Sequence, residues 1–179
     1  TLARHFKQLG KTRQALRKES KSYRRFQKRH RNDLWETDIC LPALQVRDEE
    51  GQVRQAVLVA FIDDATRLCL AAEFHATQDA GVVESCFKKA VVKHGLPAAV
   101  YLDNGAQFVS EQISGACKWL GVRHVRTKPY YAEGKGKIER YWGTVQGSLV
   151  PEIQAMEMIP NLQELNRYLW AWVEEYYHQ

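Results

Sequence analysis

Alternation of hydrophobic and polar residues predicts a block of three strands in the first half of the chain. The segments LWETDICLPALQV (34–46), QAVLVAFID (55–63) and LCLAAEFHA (68–76) are apolar or alternating, and turn residues separate them. The connections, centred on DEEG at 48–51 and DDATR at 63–67, are short. Strands joined by short turns pair in antiparallel fashion, so this block predicts a three-stranded meander.

The second half of the chain alternates between helical and strand patterns. The helical patterns place apolar residues three or four positions apart, with polar residues on the opposite face. The last of them starts with an asparagine and has a glutamate three residues later, which is a capping box. In chain order the predicted segments are a helix at 82–91, a strand at 98–103, a helix at 110–120, a strand at 122–129, a helix at 138–150 and a helix from 161.

This order of elements predicts a mixed five-stranded α/β sheet with helices on its faces. Three strands form the meander, and two helical crossovers then add two strands that run parallel to the first. The first strand and the first strand after a crossover are often neighbours in such a sheet. Binding and catalytic sites form at the carboxyl ends of neighbouring parallel strands. We therefore expect functional residues on the strands 34–46 and 98–103.

The charge of the chain divides it into a basic arm and a mildly acidic body. Residues 1–31 carry twelve Lys or Arg and one acid, a balance of +11, whereas residues 32–179 have a balance of −6. We interpret 1–31 as a partly helical arm and 32–179 as one globular domain, which this length can fill with a core. The arm either contacts a polyanion such as nucleic acid or is a solvated segment.

Cysteine usage and hydropathy bear on metal sites and on the compartment. The four cysteines are widely spaced and include no Cys-x-x-Cys pair, which argues against a zinc site. We expect buried, reduced thiols in a cytosolic protein. The longest apolar run covers only 56–62, so we expect no contact with a membrane.

Three acidic residues stand where the predicted topology can bring them together. Asp38 lies on the first strand, Asp103 ends the fourth, and Glu139 lies in the first turn of the next-to-last helix. Asp103 also opens an Asp-Asn-Gly turn signal, so by itself it reads more readily as a turn residue than as a ligand. Three neighbouring carboxylates repel, so such a cluster either titrates together or binds a hard divalent cation. Two Mg²⁺ ions held in this way would activate a water or hydroxyl and stabilise the leaving oxygen at phosphorus.

Five sequence pieces carry a resemblance to the DDE integrases and transposases, a ribonuclease-H-like group. The pieces are LWETDI, FIDDATR, YLDNGAQF, LGVRHVRTKPY and EGKGKIERYWGT, in that order, with 35 residues between Asp103 and Glu139. The last piece, together with the terminal EEYYHQ, is most similar to the bacterial insertion-sequence transposases. The resemblance covers about residues 23–179.

The resemblance implies a DNA transposase or integrase core that cleaves DNA 3′ ends and transfers them into target DNA. No covalent enzyme intermediate is implied. Asp38, Asp103 and Glu139 would be the catalytic residues and the ligands of two Mg²⁺ ions, for which Mn²⁺ would substitute. The implied partners are the element ends, the target DNA and further copies of the chain assembled on DNA. The implied location is the bacterial cytoplasm, at the nucleoid.

Residues near the triad are candidates for DNA contact. The loop before Glu139 is loosened by glycines and carries basic residues that would order against phosphates. Many insertion-sequence relatives have Lys or Arg two helical turns after the glutamate, where this chain has Gln146. The predicted DNA-binding residues are Asn104, Lys135, Lys137 and Arg140.

Other acids and other functions compete with this interpretation. We expect Asp63 and Asp64 to form a turn and to pair with Arg67. Glu36 has the same side-chain parity as Asp38 and would be a fourth metal ligand in a ribonuclease H proper. A nuclease of the same fold would only hydrolyse DNA, and an inactive domesticated protein would bind DNA through the arm alone.

Overall fold

The computed structural model describes residues 2–10, 27–102, 111–126, 135–156 and 158–179. The strands within these ranges are β1 (Trp35–Cys40), β2 (Gln45–Arg47), β3 (Val53–Gln55), β4 (Val57–Asp63), β5 (Cys69–His75), β6 (Ala99–Leu102) and β7 (Arg123–Arg126). The helices are α1 (Leu2–Gln8), α2 (Ala80–His94), α3 (Glu111–Trp119), α4 (Gly136–Thr144), α5 (Val150–Gln154) and α6 (Leu162–Trp172). Two π-helical turns, Val145–Leu149 and Val173–Tyr177, join α4 to α5 and extend α6.

The main sheet has five strands in the order β5-β4-β1-β6-β7. β1 pairs antiparallel with β4, which pairs antiparallel with β5. On its other side β1 pairs parallel with β6, and β6 pairs parallel with β7. The predicted mixed five-stranded α/β sheet is therefore confirmed, with β1 at its centre beside the first strand after a crossover.

The segment 34–46 forms two strands, so the prediction of one strand was wrong. β1 ends at Cys40, and β2 leaves the main sheet to pair with β3 in a separate two-stranded ribbon. Pro42 lies between them, and proline has no N–H to donate to a strand ladder. The carbonyl of Pro42 instead accepts the N–H of Leu44 at 2.7 Å, which turns the chain.

The two faces of the sheet pack against separate hydrophobic clusters. One face is covered by α4, α5 and α6, and the other by α2 and α3. On the second face the ring of Phe87 from α2 lies 6.1 Å from Trp35 and 5.5 Å from Phe61 between ring centroids. Every residue of β4 is buried, as expected for a strand that is covered on both faces.

The helix predicted at 138–150 begins earlier and continues further. It starts at Gly136 and runs through the π-helical turn to Gln154. Proline in a regular helix clashes with the carbonyl four residues earlier, and the widened turn Val145–Leu149 ends two residues before Pro151. The predicted capping box of the last helix is confirmed, because Asn161 and Glu164 exchange side chain-to-backbone bonds. The helix predicted at 110–120 corresponds to α3, and its predicted first residue, Ser110, lies outside the described residues.

Two further observations concern the cysteines and the helices. All four cysteines are buried, as predicted. Among the described residues, none of the helices has both the length and the apolar character that crossing a membrane requires.

Candidate active site

β1 presents two acids toward helix α4. Glu36 and Asp38 are two residues apart on one strand, so their side chains point to the same face of the sheet. The residue Glu36 is only 1% exposed, whereas the Asp38 side chain is 23% exposed. The same face therefore holds one fully buried acid and one acid that solvent reaches.

Helix α4 and its N-cap residue contact the Asp38 carboxylate from positions before and after Glu139. The ammonium of Lys135 lies 3.2 Å from Oδ1 of Asp38, and the indole Nε1–H of Trp142 donates to Oδ2 at 3.3 Å. Residues three or four apart on a helix share a face, and Glu139 lies three before Trp142 on α4. Glu139 is exposed and occupies the first turn of α4. It therefore belongs to the helix face that meets Asp38.

A buried ion cluster, made of Glu36, Asp64 and Lys137, lies beside this contact. Lys137 donates a hydrogen bond to Oδ1 of Asp64, and its Nζ is 3.6 Å from Oε1 of Glu36. The backbone N–H of Ile138 donates to Oε2 of Glu36 at 3.1 Å. Burial raises the pKa of Glu36 to about 7, and the Asp64 carboxyl adds to the rise. The Ile138 amide and the Lys137 ammonium act in the opposite direction.

The turn after β4 forms as predicted, but its ion pair differs from the prediction. The Asp63 carboxylate accepts bonds from the N–H and the hydroxyl of Thr66 at 2.9 and 2.8 Å. Within the described part of the chain, neither aspartate forms an ion pair with Arg67. Asp64 is fully buried and pairs with Lys137, because α4 brings that cation into the interior. The expected pairing with Arg67 was wrong.

The end of the basic arm is hydrogen-bonded to the same turn. The backbone N–H of Lys28 donates to Oδ2 of Asp64 at 2.5 Å, and the N–H of Asn32 donates to Oδ1 of Asp63 at 2.8 Å. The Gln27 side chain donates to the carbonyl of Ala65 at 3.0 Å. Both buried aspartates therefore have partners that come from residues 27–32.

The remaining predicted site residues are distributed as follows. Asp103 and Asn104 lie outside the described residues, so the complete triad is not within the described part. In that part, no group of three or more His, Cys, Asp or Glu side chains is arranged to hold a metal ion. Arg140 is exposed, and the amide of Gln146 contacts Sγ of Cys40 at 3.5 Å.

The two lysines predicted to contact DNA have their ammonium groups against acids. The side chains of Lys135 and Lys137 are only 9% and 13% exposed. Sequence reasoning missed this inward arrangement and the contact of Trp142 with Asp38. One signal was available: Asp64 directly follows an apolar strand, and a buried acid in that position requires a cationic or N–H partner.

Comparison with known proteins supports the same family as the motifs. Residues 28–132, more than half of the chain, match the family model of the integrase core domain. The chain is 24% identical over 136 residues to the transposase for transposon Tn552 of Staphylococcus aureus, covering 68% of this chain and 27% of that protein. It is 26% identical over 104 residues to the Pol-related polyprotein of the mouse intracisternal A-particle MIA14, covering 58% and 12%. The chain thus spans less than a third of either relative.

Solved structures of retroviral integrases share the fold. A chain of the simian T-cell lymphotropic virus intasome, solved with PP2A regulatory subunit B56 gamma, superposes with a TM-score of 0.66 at 22% identity, covering 83% of this chain and 51% of that one. The dimeric HTLV-2 integrase catalytic core, solved with magnesium, gives a TM-score of 0.58 at 18% identity, covering 79% and 86%.

These similarities agree with the architecture. The central β1 between an antiparallel and a parallel neighbour is the ribonuclease-H-like arrangement, and the five motif pieces occur in the expected order. The chain belongs to the integrase core domain family, the group of the DDE integrases and transposases.

Proposed function

We propose that this chain is the catalytic core of a DNA transposase or integrase, which cleaves DNA 3′ ends and transfers them into target DNA. Asp38, Asp103 and Glu139 are the proposed catalytic residues. One observation carries the assignment: Lys135, the N-cap residue of α4, and Trp142 within α4 both bind the carboxylate of Asp38, across 97 and 104 residues of sequence, and Glu139 lies between them on the chain. The face of α4 that carries Glu139 is thus the face that meets Asp38. This arrangement suits the binding of one metal ion by both carboxylates.

Strand register supports the inclusion of Asp103. The parallel ladder between β1 and β6 pairs Glu36 with Tyr101. In the sequence, Asp38 follows Glu36 by two residues, and Asp103 follows Tyr101 by two residues. Residues two apart on a strand share a face, so continuation of this register would bring the two carboxylates side by side.

The residues around Asp38 fit a divalent metal. Its carboxylate is partly exposed and already holds the ammonium of Lys135, so this position stabilises positive charge. Carboxylate oxygens are the ligands that Mg²⁺ prefers, and Mn²⁺ accepts the same set. We propose two Mg²⁺ ions per site, which when bound would activate a water or 3′-hydroxyl and stabilise the leaving oxygen. The Trp142 N–H would keep the Asp38 carboxylate in a fixed orientation.

DNA and further copies of the chain are the proposed partners. The similar viral structures include an intasome and dimeric and trimeric integrase cores, which supports assembly of several copies on DNA. Among the proposed DNA contacts, Arg140 is exposed beside Glu139 and suits a phosphate. Asn104 and Lys135 remain proposed contacts, and Lys137 is considered below. The proposed location is the bacterial cytoplasm, at the nucleoid.

Replacement of the triad tests this function. In an assay of nicking and joining on supercoiled plasmid with Mg²⁺, Asp38→Asn and Asp103→Asn should each abolish both products while the melting temperature stays close to wild type. Cleavage at the wild-type rate in either variant would refute the triad. Cleavage without joined products would favour a nuclease, although the burial of Glu36 does not favour it as a fourth ligand. Metal-independent DNA binding without cleavage would favour the inactive protein.

A further inference from the structure

The buried ion cluster stands directly between the two elements that carry Asp38 and Glu139. Glu36 is two residues before Asp38 on β1, and Lys137 is two residues before Glu139 on α4. Asp64, at the end of β4, completes the cluster from the neighbouring strand. Asp38 and Glu139, the two proposed metal ligands that lie on described elements, are therefore each two residues from a member of the cluster.

Stability alone gives no reason for such a cluster. Two carboxylates and one ammonium are taken out of water, which is costly, and apolar residues of the same volume often stabilise a core as well or better. The best-attested use of a buried charged group is to fix one register of packing among several. Here the packing is that of α4 on β1.

The contacts fix α4 at its first turn. The first N–H groups of a helix have no partner within the helix, and the N-cap residue Lys135 supplies no side-chain cap bond. Glu36 supplies the acceptor instead, because its Oε2 receives the N–H of Ile138 at 3.1 Å. Lys137 adds a second, ionic attachment one residue earlier. Two consecutive residues of α4 are thus held by one carboxylate of β1, immediately before Glu139.

We propose that Glu36, Asp64 and Lys137 are positioning residues, which fix the first turn of α4 on β1 and so determine where Glu139 stands relative to Asp38. The three cluster residues act through Asp38 and Glu139 and touch neither substrate nor metal. The inference rests on the proposed function for its consequence in catalysis. The positioning itself is a property of the free protein and is testable without DNA.

Hydrogen exchange of the free protein tests the positioning. In Lys137→Met the amides of residues 138–142 should exchange about tenfold faster than in wild type, whereas those of α2 should not change. In Glu36→Gln the increase should be smaller, because the amide oxygen still accepts the N–H of Ile138. The matched control is Lys89→Met, since Lys89 pairs with Glu73 on the other side of the sheet.

Each outcome of the exchange experiment decides the question. Unchanged exchange in α4 for both variants would overturn the proposal. An equal increase in α2 and α4 would mean general loss of stability and would also overturn it. If Lys137→Met does not fold, Glu36→Gln decides alone, because it preserves the shape of the side chain.

Activity then separates this inference from the proposed function. With a wild type that cleaves DNA, Lys137→Met should lose at least tenfold in kcat and need more Mg²⁺ for half-maximal rate, while DNA affinity and its salt dependence stay constant. If Lys137 instead contacts a phosphate, the slope of log affinity against log salt should fall by about one, with α4 exchange unchanged. That result would overturn positioning. A wild type without any cleavage would contradict the proposed function and leave the exchange result valid.

Discussion

The indole N–H of Trp142, beyond Glu139 on α4, donates a hydrogen bond to the Asp38 carboxylate, and its removal is a sharp test of the site. Trp142→Phe keeps an aromatic ring and deletes the N–H. The chain offers a matched control in Trp172→Phe, because Trp172 is equally buried and donates to the hydroxyl of Ser148 at 3.1 Å. Both tryptophans pack against Tyr141 in the same hydrophobic cluster.

The difference between the two variants follows from their acceptors. A hydrogen bond to a charged group contributes about 1.5–3 kcal/mol to the free energy of unfolding, and one to a neutral group about 0.5–1.5 kcal/mol. The loss from the smaller ring is common to both variants and cancels. Both bonds are only partly buried, so water replaces part of each and each should contribute near the lower end of its range, about 1.5 kcal/mol for Asp38 and about 0.5 kcal/mol for Ser148. The expected difference is therefore about 1 kcal/mol. For a chain of this length that corresponds to roughly 2–4 °C in Tm.

Metal dependence gives the more decisive measurement. Groups that orient a ligand carboxylate typically contribute about 10–100-fold to metal affinity or activity. We therefore expect Trp142→Phe to need at least tenfold more Mg²⁺ for half-maximal strand cleavage, and Trp172→Phe to need the same concentration as wild type. Titration of cleavage with Mg²⁺, repeated with Mn²⁺, measures this. Equal Mg²⁺ dependence in the two variants would refute the orienting role of the indole.

Two further predictions concern stability at the end of the chain. Asn161→Ala removes the capping box of α6 and should cost about 1 kcal/mol, seen as a fall of roughly 2–4 °C in Tm; an unchanged Tm would contradict this. Nε2 of His178 accepts the N–H of Cys69 at 3.1 Å, and burial, aided by Lys93, lowers the pKa of His178. The neutral form of His178 is thus favoured in the folded state. Its contribution to the free energy of unfolding is complete above pH 6.5 and is lost as the pH falls below that value. Tm between pH 8 and 5 should fall more steeply for wild type than for His178→Gln, and parallel curves would refute it.

Local patterns predicted most of the sheet because the information is local. The short turn at 63–67 joins β4 and β5 as an antiparallel pair, whereas the turn at 48–51 joins β2 and β3 of the separate ribbon. The apolar segment 98–102 indicated a central place beside β1. Pro42 interrupts the first predicted strand, and its effect was overlooked. The helix predicted at 138–150 was expected to end at residue 150, directly before Pro151, but the chain stays helical through the π-helical turn and α5.

The partners of the buried acids could not be predicted in this way. Asp64 and Lys137 are 73 residues apart, and neither spacing nor parity connects them. Their pairing depends on the exact place where α4 crosses β1 and β4, which only the packed structure determines. The motif pieces located Asp38 and Glu139 correctly on a strand and in a first helical turn, whereas Asp103 remains a prediction.

The carboxylate of Asp64 has a mechanical consequence. One of its oxygens receives the backbone N–H of Lys28 at the end of the arm, and the other receives the ammonium of Lys137 on α4. A single rigid group of three atoms therefore joins the last residues of the arm to the helix of the proposed active site. A displacement of the chain at Lys28 must either break its hydrogen bond to Asp64 or move the Asp64 carboxylate that pairs with Lys137. The position of the arm at Lys28 is therefore coupled directly to the first turn of α4.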